Sequence, residues 1–178
     1  SRSYPASEEF TLAIENKYGK IDVVNWDRAE VEVNSLITVE ARTKEKAEDA
    51  IRYITVDIDE SPGGASFTTE FDKKAFGNNR NIEVAYKVKA PEYLNAELGQ
   101  KYGSVFIQAL SGDVVLEIGY GNLKASSLVN SDRDHWNTLK FDYSEGSIDQ
   151  AGNMKGKVSY SELNIGEASF NLEHVFLE

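Results

Sequence analysis

Short runs in which apolar and polar residues alternate dominate the chain. A period of two places one set of side chains on the buried face of a β-strand, so these runs predict an all-β fold. The clearest runs before the midpoint lie at 10–14, 20–26, 30–41, 54–59, 65–71 and 82–90.

One segment follows a helical period instead, and the spacing predicts a short helix over 43–53. Thr43 can act as its N-cap, and Glu48 and Arg52 are placed for an i,i+4 ion pair. The apolar face that this helix would bury consists of Ala47, Ala50, Ile51 and Ile54.

Five segments repeat a tyrosine followed by glycine or serine. The residues three and five positions after each tyrosine are Ile, Val or Leu at all but two places. Ala125 is apolar but small, and Gly146 is the strict exception. Four residues before each tyrosine the position is apolar in all repeats but the last. The repeat tyrosines are Tyr18, Tyr102, Tyr120, Tyr143 and Tyr160.

The alternation changes phase at each of these dipeptides, which indicates that the backbone turns a corner there. Gly19, Gly103 and Gly121 follow the first three tyrosines. A second phase change at Ser111 and Gly112 predicts another corner halfway between Gly103 and Gly121. A coil of near 18 residues with two corners is typical of stacked repeats.

We therefore expect a parallel β-solenoid, similar to a single-stranded β-helix, with one short helix in the N-terminal half. The alternative is an antiparallel sandwich, which does not by itself explain a phase change at a repeated dipeptide. We expect one domain over 1–178, with N-terminal strands and the helix in 1–91 and the repeat coils in 92–178.

The formal net charge of −11 argues against a nucleic-acid partner, since like charges repel the phosphate backbone. Cysteine is absent, which excludes disulfides and thiol chemistry. No apolar run approaches the length of a transmembrane helix, so we expect no membrane-spanning segment. We expect no cofactor.

The segment 90–125 resembles the putative-adhesin domains of bacterial envelope proteins, a family of unknown function. The early stretch NKYGKIDVVNWDRAEVEV also fits the opening of that family. The resemblance implies a right-handed parallel β-solenoid related to autotransporter adhesin heads. It also implies an exported chain in the periplasm, at the outer membrane or on the cell surface, with its signal peptide removed. The family supplies no catalytic residues.

The insertion at 129–137 is the best candidate binding site, because it lengthens one coil and concentrates Asp132, Asp134, His135 and Trp136. Asn130, Asp132 and Asp134 are spaced like calcium ligands, but the rest of an EF-hand loop is missing. The alternative interpretation is a polar loop anchored by a buried Trp136. We predict neither a metal site nor a catalytic site.

The tyrosines have two interpretations: a structural ladder, which we favour, or an exposed stripe that binds glycan or a partner strand. The first functional hypothesis is a non-catalytic envelope or adhesion-type module. The alternative is a glycan-binding or carbohydrate-active module that uses the 129–137 loop. The expected partners are a glycan, another envelope protein, or a second copy that associates through the ends of the solenoid.

Overall fold

A computed structural model describes residues 1–76, 81–130, 132, 134–168 and 172–177, the last segment by its backbone alone. The chain contains one α-helix, one short 3-10 helix at Lys73–Ala75 and fourteen strands within this part. In chain order they are β1 (Arg2–Pro5), β2 (Thr11–Asn25), β3 (Glu30–Glu40), α1 (Lys44–Ile51), β4 (Ile54–Ser61), β5 (Gly64–Phe71), β6 (Asn81–Ala90), β7 (Asn95–Ala109), β8 (Val114–Gly119), β9 (Asn122–Leu128), β10 (Asn137–Asp142), β11 (Glu145–Ala151), β12 (Met154–Ser159), β13 (Glu162–Ala168) and β14 (Leu172–Leu177).

The strands form one hydrogen-bonded system with two branches, which share the 15-residue strands β2 and β7. The first branch runs β4-β5-β2-β7-β8-β10-β12-β14. The second branch runs β1-β3-β6-β2-β7-β9-β11-β13. Each repeat tyrosine lies where the chain passes from the first branch to the second.

The predicted right-handed parallel β-solenoid is wrong, because the sheet is mixed. Strand β3 pairs antiparallel with β1 on one side and with β6 on the other, and β4 pairs antiparallel with β5. Ser61 pairs with Gly64 across a two-residue turn, which is the short connection that antiparallel strands allow and parallel strands do not. The alternation in 54–71 fits either kind of pairing, so it could not reveal this hairpin.

From β7 to β13 the pairing is parallel, and like residues lie over like residues. Leu98, Leu116 and Leu139 are register partners in the first branch. In the second branch the equivalent column contains Ile107, Ala125 and Ile148. These buried columns belong to one hydrophobic cluster, which also takes in the N-terminal strands.

Gly146, the exception in the repeat, fits the packing of the core. A Cβ atom at this position would lie 2.8 Å from the Cζ atom of Phe141, whose side chain is fully buried. Phe141 stands on β10 in the first branch and Gly146 on β11 in the second. The large ring therefore occupies the space that an apolar side chain fills in the other repeats.

Helix α1 begins one residue later and ends two residues earlier than predicted. The N-cap prediction is confirmed, since the Oγ1 atom of Thr43 accepts a hydrogen bond from the backbone N–H of Lys46 at 3.4 Å. Glu48 forms its i,i+4 ion pair with Lys44 at 3.4 Å rather than with Arg52. Neither this helix nor any other described one has the length and apolar character to cross a membrane.

Candidate functional site: an exposed tyrosine ladder and a polar loop

The five repeat tyrosines share an unusual backbone conformation. Their φ angles all lie between 50° and 57°. This left-handed region is uncommon for residues other than glycine, and it is strained for a bulky side chain. The predicted corner is present, but the tyrosine rather than the following glycine adopts the positive φ.

The glycines at these corners serve a different purpose, which is close approach of two backbones. A Cβ atom on Gly103 would overlap the carbonyl oxygen of Gly19 on the neighbouring strand. Gly121 is held against the carbonyl oxygen of Gly103 in the same way. At the second predicted corner, a Cβ atom on Gly112 would lie 2.7 Å from the carbonyl oxygen of Leu94.

The last two corners replace glycine with serine, and the hydroxyl groups take up hydrogen bonds. The hydroxyl of Ser144 donates to a main-chain carbonyl within its own corner and accepts from the backbone N–H of Gly121 at 3.2 Å. The hydroxyl of Ser161 accepts from the backbone N–H of Ser144 at 2.8 Å. The corners are thus tied to each other along the stack.

The tyrosine rings stack on one another as a continuous ladder. The distances between successive ring centroids are 5.2, 5.3, 5.0 and 4.9 Å, and no two successive planes differ by more than 16°. The distance between the rings follows the spacing of hydrogen-bonded strands, since successive tyrosines lie at the ends of neighbouring paired strands. The tyrosine ladder consists of Tyr18, Tyr102, Tyr120, Tyr143 and Tyr160.

The ladder is exposed along most of its length. The exposed fractions are 48% for Tyr102, 53% for Tyr120, 52% for Tyr143 and 73% for Tyr160. No hydrogen bond joins any of the five phenol hydroxyls to a described residue. Successive rings cover each other's facing sides, so between Tyr18 and Tyr160 the ladder presents ring edges and hydroxyls to solvent.

Two phenylalanines close the ladder at its N-terminal end. Tyr18 contacts the rings of Phe71 and Phe76 edge-on, with centroids 5.5 and 5.3 Å away. Beside them lies an open cavity of about 330 Å³, whose floor includes Asn16 and Gln100. These two side chains are buried and joined by a 3.0 Å hydrogen bond.

Charged residues flank the ladder with opposite signs at its two ends. Lys17 and Lys20 lie beside Tyr18, at the N-terminal end. Glu145 and Glu162 are register partners on β11 and β13 and lie just beyond Tyr143 and Tyr160. The ladder edge is therefore basic at one end and acidic at the other.

The 129–137 loop is organised around Asp132. One carboxylate oxygen of Asp132 accepts from the backbone N–H groups of Asp134 and His135 and lies 2.8 Å from the Nδ1 atom of His135. The hydrogen bond with His135 holds the pKa of Asp132 below its ordinary value, and the same bond raises the pKa of His135. The carboxylate is thus engaged within its own loop.

Trp136 is partly buried on the outer face of the first branch. Its backbone N–H donates to the Oδ1 atom of Asp113 at 2.7 Å, and the Nζ atom of Lys155 lies 5.5 Å from its ring centroid. The ring borders a shallow groove of about 430 Å³ that Asp134 and Glu97 also line.

The side chain of Asn130 points away from the loop. It therefore does not join Asp132 and Asp134, with which it shares the spacing of calcium ligands in the sequence. The Asn130 side chain is buried, donates to the carbonyl of Gly112 and accepts from Asn137. In the described part of the chain, no three histidine or acidic side chains are arranged to hold a metal ion. Residues 131 and 133 lie outside the described part.

The structure brings the loop residues together and brings the tyrosines together, but as two separate sites. The loop precedes β10 and the ladder follows it, so a six-residue strand of roughly 20 Å separates them. Reasoning from the sequence missed the charge polarity along the ladder. The sequence does contain a signal for this polarity, which is the charge of the residues one position before and two positions after each tyrosine.

No protein-family model and no curated protein matches the chain. Among solved structures, the chain is similar to a protein described as a putative cell adhesion protein from Clostridium sporogenes. The two share 10% sequence identity, 99% of each chain is covered, and the TM-score is 0.44. Similarity at this level carries no argument about function, which has to be inferred from the geometry.

Proposed function

We propose that the chain is a non-catalytic, adhesion-type binding module and that the tyrosine ladder is its recognition surface. The observation that carries this proposal is the stack of tyrosines, each on a left-handed backbone and four of them about half exposed or more. Bulky residues in strained conformations concentrate at functional sites. Tyrosine is also enriched at protein interfaces, because one ring combines apolar area with a hydroxyl.

The energy of the corner does not by itself explain why tyrosine rather than glycine occupies these positions. The left-handed backbone costs ~1–2 kcal/mol for a residue with a Cβ atom, and glycine avoids this cost. Stacking returns ~0.5–1.5 kcal/mol per ring pair beyond the burial of the ring faces, which is of the same size as the cost. Binding by the exposed edge is an additional reason for tyrosine.

The chemistry of the acidic side chains favours binding over catalysis at the loop. A glycosidase needs a general acid whose pKa is raised, so that it holds its proton near neutral pH. The pKa of Asp132 is shifted in the opposite direction by its hydrogen bond with His135. Asp132 therefore does not fit the role of the general acid in a glycosidase.

We further propose that the module acts at the bacterial envelope, as the family resemblance implies. An acidic surface of this kind suits a protein that stays in solution until it meets a specific partner. Association through the ends of the stack, where β13 and β14 each pair on one side only among the described strands, stays a prediction.

An attachment assay tests the proposal. Beads that carry the protein are mixed with bacterial envelope fragments, with immobilised glycans and with beads that carry the same protein. We expect attachment to at least one of these surfaces and a loss of about ten-fold in affinity, ~1.4 kcal/mol, in Tyr102→Asn/Tyr120→Asn/Tyr143→Asn. Asparagine tolerates the left-handed backbone, so this variant keeps the corners.

A matched control is Val24→Asn, which removes a partly exposed apolar side chain of β2 six residues beyond Tyr18. The control should attach like the wild type. Equal attachment by the triple variant, or no attachment to any of the three surfaces, would show that the ladder is not a recognition surface.

A second candidate function is glycan binding in the groove beside Trp136. The observation that favours it is a half-exposed indole next to the carboxylates of Asp134 and Glu97, a combination that suits sugar rings. Binding to a glycan array that is lost in Trp136→Ala but kept in the ladder variant would support this function. No bound glycan, or binding unaffected by Trp136→Ala, would contradict it.

A further inference from the structure

The exposed edge of the ladder is shaped for a partner with its own regular spacing. The ring centroids repeat about every 5 Å over four steps, and none of the five hydroxyls bonds to a described residue. A sugar ring binds an aromatic side chain by stacking on its face. Between Tyr18 and Tyr160 the faces of the tyrosine rings are occupied by the neighbouring tyrosines. The edge therefore suits protein better than glycan.

The charges beside the ladder run in two columns, one on each side. The column that precedes the tyrosines begins with Lys17 and Lys101 and reaches Asp142. The column that follows them begins with Lys20 and ends with Glu145 and Glu162. Each column is thus basic near Tyr18 and acidic near Tyr160.

A second copy of the same edge is complementary only when it runs antiparallel. A two-fold axis through the middle of the ladder places Tyr18 opposite Tyr160 and Tyr102 opposite Tyr143, with Tyr120 opposite itself. Each column then meets its own reverse, so Lys101 faces Asp142 and Lys20 faces Glu162. Lys17 faces Ser159, next to Asp142 in the same column. A parallel arrangement places Lys17 opposite Lys20 of the other copy, which is repulsive.

We propose that the chain pairs with a second copy of itself through antiparallel tyrosine ladders. This inference rests on the proposed function and names the partner of the same surface. In such an isologous contact both copies use the same surface, so residue i of each copy meets residue j of the other. The assembly therefore stops at the dimer. Each half-exposed ring offers on the order of 100 Å², so the stripe reaches the few hundred Å² typical of functional patches.

Neither Lys17 nor Lys20 is committed to a strong ion pair within its own chain. Lys17 is exposed and has no ion pair with a described carboxylate. Lys20 contacts Asp22 at 3.7 Å with 41% of its side chain exposed, and surface pairs of this kind contribute little. Both ammonium groups are therefore free to approach a second copy.

Charge reversal at one end tests the antiparallel arrangement. We expect sedimentation velocity at low salt to show a monomer–dimer equilibrium for the wild type. Lys17→Glu/Lys20→Glu places two carboxylates at the basic end, and Glu145→Lys/Glu162→Lys places two lysines at the acidic end. Each variant alone should weaken the dimer by about ten-fold or more, because like charges then face each other.

An equimolar mixture of the two variants should restore dimers, since position 20 of each copy then faces an opposite charge at position 162 of the other. The chain with all four substitutions should also dimerise with itself. Arg42→Glu/Lys46→Glu is the control, because it changes the net charge by the same amount as Lys17→Glu/Lys20→Glu but at helix α1. It should leave the wild-type equilibrium unchanged. Circular dichroism confirms that each variant is folded.

Two results would overturn the inference. One is a wild type that stays monomeric at every concentration. The other is a dimer that neither reversal weakens, or that the mixture fails to restore. A monomeric wild type that still attaches to envelope fragments or glycans through its tyrosines would remove the homotypic partner and leave the proposed function standing.

Discussion

At the scale of single residues, the corner divides two tasks between neighbours. Tyr102 takes the left-handed backbone, and Gly103 provides room for the carbonyl of Gly19. Sequence periodicity located this corner, because the apolar phase changes there. It could not assign the positive φ, because glycine is the usual occupant of that conformation and lies directly beside the tyrosine.

Gly103→Ala should destabilise the protein by about 3 kcal/mol or more, since the new methyl group would meet backbone atoms that cannot rotate away. Gly63→Ala is the matched control, because no atom lies within 4 Å of the added Cβ. Urea unfolding of both variants measures the difference. Equal midpoints would mean that the corner backbones are not in close contact.

Tyr143→Ala should cost about 1–3 kcal/mol, because the ring stacks on both Tyr120 and Tyr160. Tyr143→Asn loses the same stacks but tolerates the left-handed backbone, so it should be more stable than the alanine variant by about 1 kcal/mol. Chemical denaturation ranks the two. The reverse order would show that residue 143 does not hold a positive φ.

At the scale of elements, the loop before β10 has a stability that depends on pH. The pKa of His135 is raised, so its contribution is complete below its ordinary pKa of 6.5 and is lost as the pH rises through the folded value. The pKa of Asp132 is lowered from 3.8, so its contribution is complete above that value and is lost at lower pH. The pair is therefore strongest between about pH 4 and 6.5.

An NMR titration of the His135 ring should give a pKa above 6.5, and Asp132→Asn should lower it. A His135 pKa that is the same in both proteins would mean that the two side chains are not hydrogen-bonded in solution.

Elements were predictable where one period ran without interruption. The apolar columns through Leu98 and Ile107 are visible in the sequence, and so is the N-cap at Thr43. Strand direction was not predictable, because alternation in 54–71 is the same for parallel and antiparallel neighbours. The charge polarity of the ladder edge emerged only when the register placed Glu145 beside Glu162.

At the scale of the whole molecule, β2 and β7 join the two branches, and the buried residues form one hydrophobic cluster. The single domain predicted over 1–178 should therefore unfold in one cooperative transition. Fluorescence of Trp26 and Trp136 and far-ultraviolet circular dichroism should give the same urea midpoint. Two separate transitions would divide the chain into independent units.

The most direct test of the central claim is hydroxyl-radical footprinting of the protein, free and attached to its partner surface. The account predicts that Tyr102, Tyr120 and Tyr143 lose reactivity on attachment, while Trp136 keeps its reactivity. Protection of Trp136 with an unchanged ladder would contradict the account and would move the recognition surface to the groove.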